Sequence, residues 1–132
     1  MRDLVVDDSF VMRKVIKKQL DQLGIDSVVE AKNGREAIKE IIELEKKQLK
    51  IDLILTDWKM PKMTGIEFVK AVRQTNAFRK VPIIMIATNN TKAEVRQALA
   101  TGIDNYITKP FTPSLFRTKI VDTLKEFRTS FK

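Results

Sequence analysis

The sequence predicts an α/β domain of the doubly wound kind, in which five parallel strands alternate with five helices. Short apolar runs recur along the chain, segments with helical period and capping residues separate them, and four of the runs stop on a side chain capable of chemistry. Leu4-Val5-Val6 runs into Asp7-Asp8, Leu53-Ile54-Leu55-Thr56 into Asp57, Ile83-Ile84-Met85-Ile86-Ala87 into Thr88, and Tyr106-Ile107-Thr108 into Lys109-Pro110. If the strands are parallel, those ends lie along the carboxyl edge of one sheet, where open α/β folds place their ligands.

The first strand leads into a helix capped by Ser9. Met12, Ile16, Leu20 and Leu23 give this helix an apolar stripe at steps of three and four, and Gly24 ends it. The second strand, Ser27-Val28-Val29-Glu30, is short and ends in no catalytic side chain, which fits an edge position away from the site. Asn33 with Glu36 starts the second helix in the manner of a capping box. Thr64 with Glu67 and Thr91 with Glu94 repeat the signal for the third and fourth. Strands three to five read as continuous apolar stretches, as expected when helices cover both sheet faces, and Pro82 opens the fourth where a missing N–H is tolerated. Thr112 before Pro113 starts the fifth helix, whose inner face carries Phe116, Ile120, Leu124 and Phe127. Connections are short and no repeat or linker interrupts them, so right-handed crossovers complete the sandwich.

At 132 residues and 43% apolar, the chain is expected to form one domain over residues 1–132, with no separate effector domain. No apolar run approaches the roughly 18 residues of a membrane span, and Met1-Arg2 leaves no room for a signal peptide, so a cytoplasmic location is expected. The absence of cysteine excludes disulfides, thiolate nucleophiles and sulfur-ligated metals. The absence of histidine removes the usual general base, the usual zinc ligand and any internal phosphohistidine. The net charge of +8 is spread along the helices. Arg13, Lys14, Lys17 and Lys18 fall in the first, Lys46, Lys47 and Lys50 near the end of the second, and Lys119, Lys125, Arg128 and Lys132 in the last. Solvated helix faces are the expected reading, ahead of an acidic protein partner, with nucleic acid disfavoured.

The chemistry must therefore run on carboxylates, hydroxyls and lysines. Asp7 and Asp8 are neighbours, yet at a strand end the chain is turning and both can face the crevice; Asp57 joins them if the first and third strands flank the switch point. Gathered carboxylates repel one another unless a cation neutralises them. With oxygen ligands alone the matching ion is hard, Mg²⁺ with Mn²⁺ or Ca²⁺ as substitutes, and it keeps positions free for phosphate oxygens. Lys109 offers a mobile charge and Thr88 a hydroxyl to those oxygens. Asp57, central among these groups, is the expected nucleophile, forming an acyl phosphate. Singly, each aspartate has an ordinary reading as a helix cap or loop acid, and Thr88 as a turn residue. Their common register is what argues for a phosphoryl site.

Val5-Val6-Asp7-Asp8-Ser9, the segment from Thr56-Asp57-Trp58-Lys59-Met60-Pro61 through Lys62-Met63-Thr64-Gly65, Ala87-Thr88, and Tyr106-Ile107-Thr108-Lys109-Pro110-Phe111 resemble the signature blocks of response-regulator receiver domains, in particular the single-domain chemotaxis kind. The resemblance covers essentially the whole chain. It implies a flavodoxin-like sheet in the order 2-1-3-4-5 and a phosphoryl group delivered to Asp57 by a separate sensor histidine kinase, consistent with the missing histidine. It further implies that Asp8 and Asp57 bind Mg²⁺ directly, Asp7 through water and Lys59 through its backbone carbonyl. Thr88 and Lys109 are implied to grip the phosphate, and Tyr106 to be the switch aromatic that turns inward as Thr88 moves. The Lys-Pro bond is cis in the family, whereas the sequence alone gives Lys109-Pro110 only the low frequency general to X–Pro bonds. The implied partners are a chemotaxis histidine kinase, a flagellar motor switch protein and, as a further candidate, a phosphatase. Docking is expected on the face of helix 4, strand 5 and helix 5 through Lys92, Tyr106, Phe111 and Lys119, with the protein acting as a monomer without membrane or nucleic acid.

The chain departs from the family pattern at Lys59, a cation where a neutral or acidic side chain is more common, and at Asn89, where a small residue is common. Lys59 is expected to occupy the acidic cluster when metal is absent. Trp58 and Met60 are expected to pack or line the rim, and Phe111 fits core burial as well as an interaction role. A receiver belonging to a larger regulator, or a phosphorelay shuttle, fits the same residues. Asp7-Asp8 would repel a flavin phosphate, no G-x-x-x-x-G-K-[ST] loop is present, and a haloacid-dehalogenase-type phosphatase would need an aspartate at the position of Lys59.

Overall fold

The computed structural model describes residues 1–130, with side chains through residue 126. The strands are β1 Arg2–Val6, β2 Ser27–Ala31, β3 Leu53–Thr56, β4 Ile83–Ala87 and β5 Asn105–Thr108. Helices α1 Phe10–Gln22, α2 Gly34–Lys46, α3 Gly65–Arg73, α4 Lys92–Ala100 and α5 Pro113–Ser130 alternate with them. The sheet runs β2-β1-β3-β4-β5 and every pairing is parallel, so the flavodoxin-like order is observed and β2 is an edge. The order reverses at β1, whose neighbours are β2 and β3, and the switch point lies at the carboxyl ends of β1 and β3.

Alternation along each strand divides the core between two faces. Leu4, Val6, Ile54, Ile83 and Met85 pack with Ala37 and Ile41 of α2, Phe68 and Val72 of α3, and Ala98 of α4. Val5, Leu55, Ile84, Ile86 and Ile107 pack with Ile16 and Leu20 of α1 and Phe116 and Ile120 of α5. The Phe68 and Phe116 side chains are fully buried, each worth about 2–3 kcal/mol of apolar transfer. The Phe127 side chain and those of Arg128 and Lys132 lie outside the described residues.

The helix starts use the residues the sequence offers. Ser9 Oγ accepts the Met12 N–H at 3.1 Å, Asn33 Oδ1 that of Glu36 at 2.9 Å, and Thr112 Oγ1 that of Leu115 at 3.1 Å. Full reciprocal boxes form at Thr64 with Glu67 and at Thr91 with Glu94. Gly24, at φ +84°, supplies the left-handed residue that ends α1.

In the first helix Lys14, Lys17 and Lys18 are exposed, as the reading of a solvated basic face expects, and Arg13 departs from it. Arg13 is buried, donating to the Asp7 carbonyl at 2.8 Å and to Glu30 at 3.1 Å, and Lys17 completes the group on the other Glu30 oxygen at 3.1 Å. Glu30, one residue before the end of β2, is the counter-charge that lets Arg13 leave water.

Candidate functional site

Backbone bonds carry the sheet past its last ladder residues and bring the polar strand ends together. Asp7 N–H donates to the Ala31 carbonyl at 3.1 Å, Asp57 N–H to that of Val6 at 2.8 Å, and Lys109 N–H to that of Ala87 at 2.8 Å. Asp7, Asp8 and Asp57 each contribute one carboxylate oxygen to a cluster within 4.8 Å. The turn at the end of β1 makes this possible, since Asp7 is buried while Asp8 is exposed. Asp7 Oδ1 accepts the Ser9 N–H at 2.9 Å, and Arg13 holds the Asp7 carbonyl from behind.

Lys109 lies between the buried acids. Its ammonium donates to Asp7 Oδ2 at 2.7 Å and to Asp57 Oδ2 at 3.1 Å, and its side chain is only 11% exposed. Burial acts to lower the Lys109 pKa, but the bond to Asp7 and the charges of Asp57 and Asp7 outweigh it, leaving it above its ordinary value. Burial and, less strongly, the Asp7 charge push the Asp57 carboxyl up, against the pull of Lys109 and the Trp58 N–H, which donates to Asp57 Oδ1 at 2.7 Å. Asp57 is thus a partly desolvated carboxylate oriented by two donors at separate oxygens. Lys59 does not fill the cluster as expected. It is exposed and its positive charge falls on Glu94 of α4, whereas Lys109, reaching across from the end of β5, already neutralises Asp7 and Asp57.

Gly65 sets how closely α3 approaches this turn. Its N–H donates to the Trp58 carbonyl at 2.8 Å, and a Cβ on it would stand 1.9 Å from the Asp57 carbonyl oxygen. No side chain fits there, so the position requires glycine for clearance. Trp58 is half-buried and Met60 buried against the α2, α3 and α4 face, as expected of packing residues.

Thr88 is exposed at the end of β4, one strand away from Lys109. The next residue, Asn89, is buried and bonds Glu94 Oε2 through Nδ2 at 2.6 Å. Tyr106 is inward: the residue is 8% exposed and its hydroxyl donates to the Asn89 carbonyl at 2.6 Å. Burial, with the charges of Glu94 and Asp57, pushes this phenol up to about 12 and keeps it a donor at neutral pH. Lys92 is exposed at the first turn of α4, and Lys119 is half-buried with its ammonium on Asn105 Oδ1 of β5 at 3.3 Å. Phe111 is half-buried and stacks on Phe116 with centroids 5.3 Å apart, so core packing accounts for at least part of its role. The Lys109–Pro110 bond is cis.

Three carboxylates and no nitrogen or sulfur donor suit a hard cation. Ligand oxygens about 2.1 Å from one Mg²⁺ stand at most about 4.2 Å apart, so side-chain rotation would bring the cluster onto a single ion. The residues fit such a metal, with Lys109 supplying the balancing charge beside it.

Residues 4–121 match the family described as response regulator receiver domain. The chain is 48% identical over 122 residues to chemotaxis protein CheY1 of Helicobacter pylori, covering 91% of this chain and 94% of that protein. It is 47% identical over 124 residues to a chemotaxis protein CheY homolog of Campylobacter jejuni, covering 94% and 92%. Among solved structures it superposes on a CheY-like receiver domain protein from Methanospirillum hungatei with a TM-score of 0.83 and 26% identity, covering 98% of this chain and 97% of that one.

Proposed function

Since the chain belongs to the response-regulator receiver family of two-component systems, we propose that Asp57 accepts a phosphoryl group from the phosphohistidine of a sensor histidine kinase. The observation that carries this reading is the Lys109 ammonium set between Asp7 and Asp57 beside an acidic cluster at the switch point. An Asp57 oxygen attacks phosphorus as the phosphorus–nitrogen bond to the donor imidazole breaks, and the imidazole leaves with the bonding pair. The product is an acyl phosphate. The transition state is loose, so alignment and charge neutralisation do most of the work. Lys109 and the Trp58 N–H orient the nucleophile, Lys109 stays beside the phosphoryl oxygens, and the Thr88 hydroxyl donates to another of them. Receiver domains bind Mg²⁺ at an acidic pocket; here Asp8 and Asp57 would hold it directly, with Asp7 through water and the Lys59 carbonyl. The ion would neutralise charge on the transferred group. The chemistry is the protein's own phosphorylation and dephosphorylation, with no independent substrate turned over.

The chemotaxis relatives support an output at the flagellar motor switch, through a face containing Lys92, Tyr106, Phe111 and Lys119. The receiver domain is read as a cytoplasmic monomer by its likeness to the chemotaxis relatives. Among the described residues no helix is long and apolar enough to cross a membrane. A pull-down with a motor-switch peptide tests this output. Binding is expected to strengthen with acetyl phosphate and Mg²⁺; equal binding with and without phosphodonor would favour a phosphorelay shuttle.

A further inference from the structure

The Tyr106 hydroxyl donates to the Asn89 carbonyl at 2.6 Å, so the ring position depends on where the segment between β4 and α4 lies. One side chain ties that segment down. Asn89 Nδ2 donates to Glu94 Oε2 at 2.6 Å, while Glu94 Oε1 accepts from Thr91 Oγ1 at 2.8 Å and from the Thr91 N–H at 3.3 Å. Glu94 N–H returns a bond to Thr91 Oγ1 at 3.1 Å. Glu94 thereby joins the cap of α4 and the residue bonded to Tyr106 in one unit. The Asn89 bond is the largest of the causes holding the Glu94 carboxyl below its ordinary value, with the Thr91 bonds next and the Lys59 charge a smaller contributor. Asn89 Oδ1 is buried without a partner, a cost that the Nδ2 bond to Glu94 offsets.

We propose that Asn89 is a positioning residue: through Glu94 it clamps the β4–α4 segment and holds Tyr106 inward by contacts that do not include Asp57. The clamp biases the switch aromatic before any phosphoryl group arrives, so phosphorylation adds to an inward preference already built into the chain. Its link to output rests on the receiver reading; the clamp itself does not.

Tyr106 is the only tyrosine, so a 3-fluorotyrosine-labelled protein gives one fluorine resonance reporting that ring. The unmodified protein is expected to show a buried line with a small H₂O-to-D₂O shift. Asn89→Ala keeps the backbone acceptor and the Thr91–Glu94 cap but removes the tie, and should lower the inward-to-outward ratio about threefold. Asn89→Asp keeps the size but sets a carboxylate against Glu94, and should move the line the same way, which covers the case of one variant failing to fold. Acetyl phosphate should restore part of the inward population in both. An exposed line in the unmodified protein, or a line unchanged in both variants, would overturn the proposal. Intact mass follows phosphorylation separately, so a missing adduct would count against Asp57 as acceptor while the unmodified spectra still decide the clamp.

Discussion

The two edges of the sheet both hold a buried aspartate, in β1 or directly after it, and a cation from another element, and they use them differently. At the carboxyl edge Asp7, 1% exposed, takes the Ser9 N–H and the Lys109 ammonium. At the amino edge Asp3, 0% exposed, has no partner on either oxygen, and burial, reinforced by the Asp52 charge, pushes its pKa up to about 7. The cations divide the same way. Arg73 directs its guanidinium to the carbonyls of Gly102, Arg79 and Val81 and to Asp104, fixing α3 against the loops that lead into β4 and β5. Lys109 is a compact point charge on a flexible stem, shared between Asp7 and Asp57. A planar fork with several acceptors is suited to structure; a single ammonium between carboxylates is suited to change.

Removing the unpaired acid should have the largest effect. The folded-state pKa of Asp3 stands above the ordinary 3.8, so the folded protein binds that proton more tightly than the unfolded chain. Stability from this group is complete below pH about 4 and is lost as pH rises through about 7. Asp3→Leu is therefore expected to raise stability at pH 8 by on the order of 4 kcal/mol, and to flatten its pH dependence between those limits, in urea titrations. Arg73→Ala should cost about 2–3 kcal/mol in the same titrations, because the carbonyls it serves lose a shared donor, while leaving Mg²⁺ affinity unaltered. Lys109→Met should cost only about 1–2 kcal/mol without metal, most of it recovered on adding Mg²⁺, since another cation can take its place between Asp7 and Asp57. The smallest effect is expected from Arg13→Lys, which loses the fork reaching the Asp7 carbonyl and Glu30; Mg²⁺ affinity, followed by Trp58 fluorescence, should fall about three- to tenfold.

The same contrast marks what could be read from the sequence. The carboxyl edge was legible because four of the five strands' apolar runs stop on a side chain of the candidate site, and Asp7, Asp8, Asp57, Thr88 and Lys109 all lie at such stops. Ser9, Asn33, Thr64, Thr91 and Thr112 were legible as caps because capping is local. Arg13 was missed because its burial depends on Glu30, on another element; its place three residues before Ile16, beside the apolar stripe, was the available signal. Arg73 meets acceptors as distant as Gly102 and Asp104, and no local pattern reveals that. Lys59 was placed wrongly because its nearness to Asp57 in sequence outweighed Glu94, which only the fold brings into range.

Asp57 is the proposed acceptor, and the neighbouring acids serve it. Intact-mass and peptide mapping after incubation with acetyl phosphate and Mg²⁺ test this most directly. The wild-type chain is predicted to gain the mass of one phosphoryl group on the peptide containing Asp57, and Asp57→Asn to gain none. A phosphoryl group on another residue, or an equal gain in Asp57→Asn, would contradict the account.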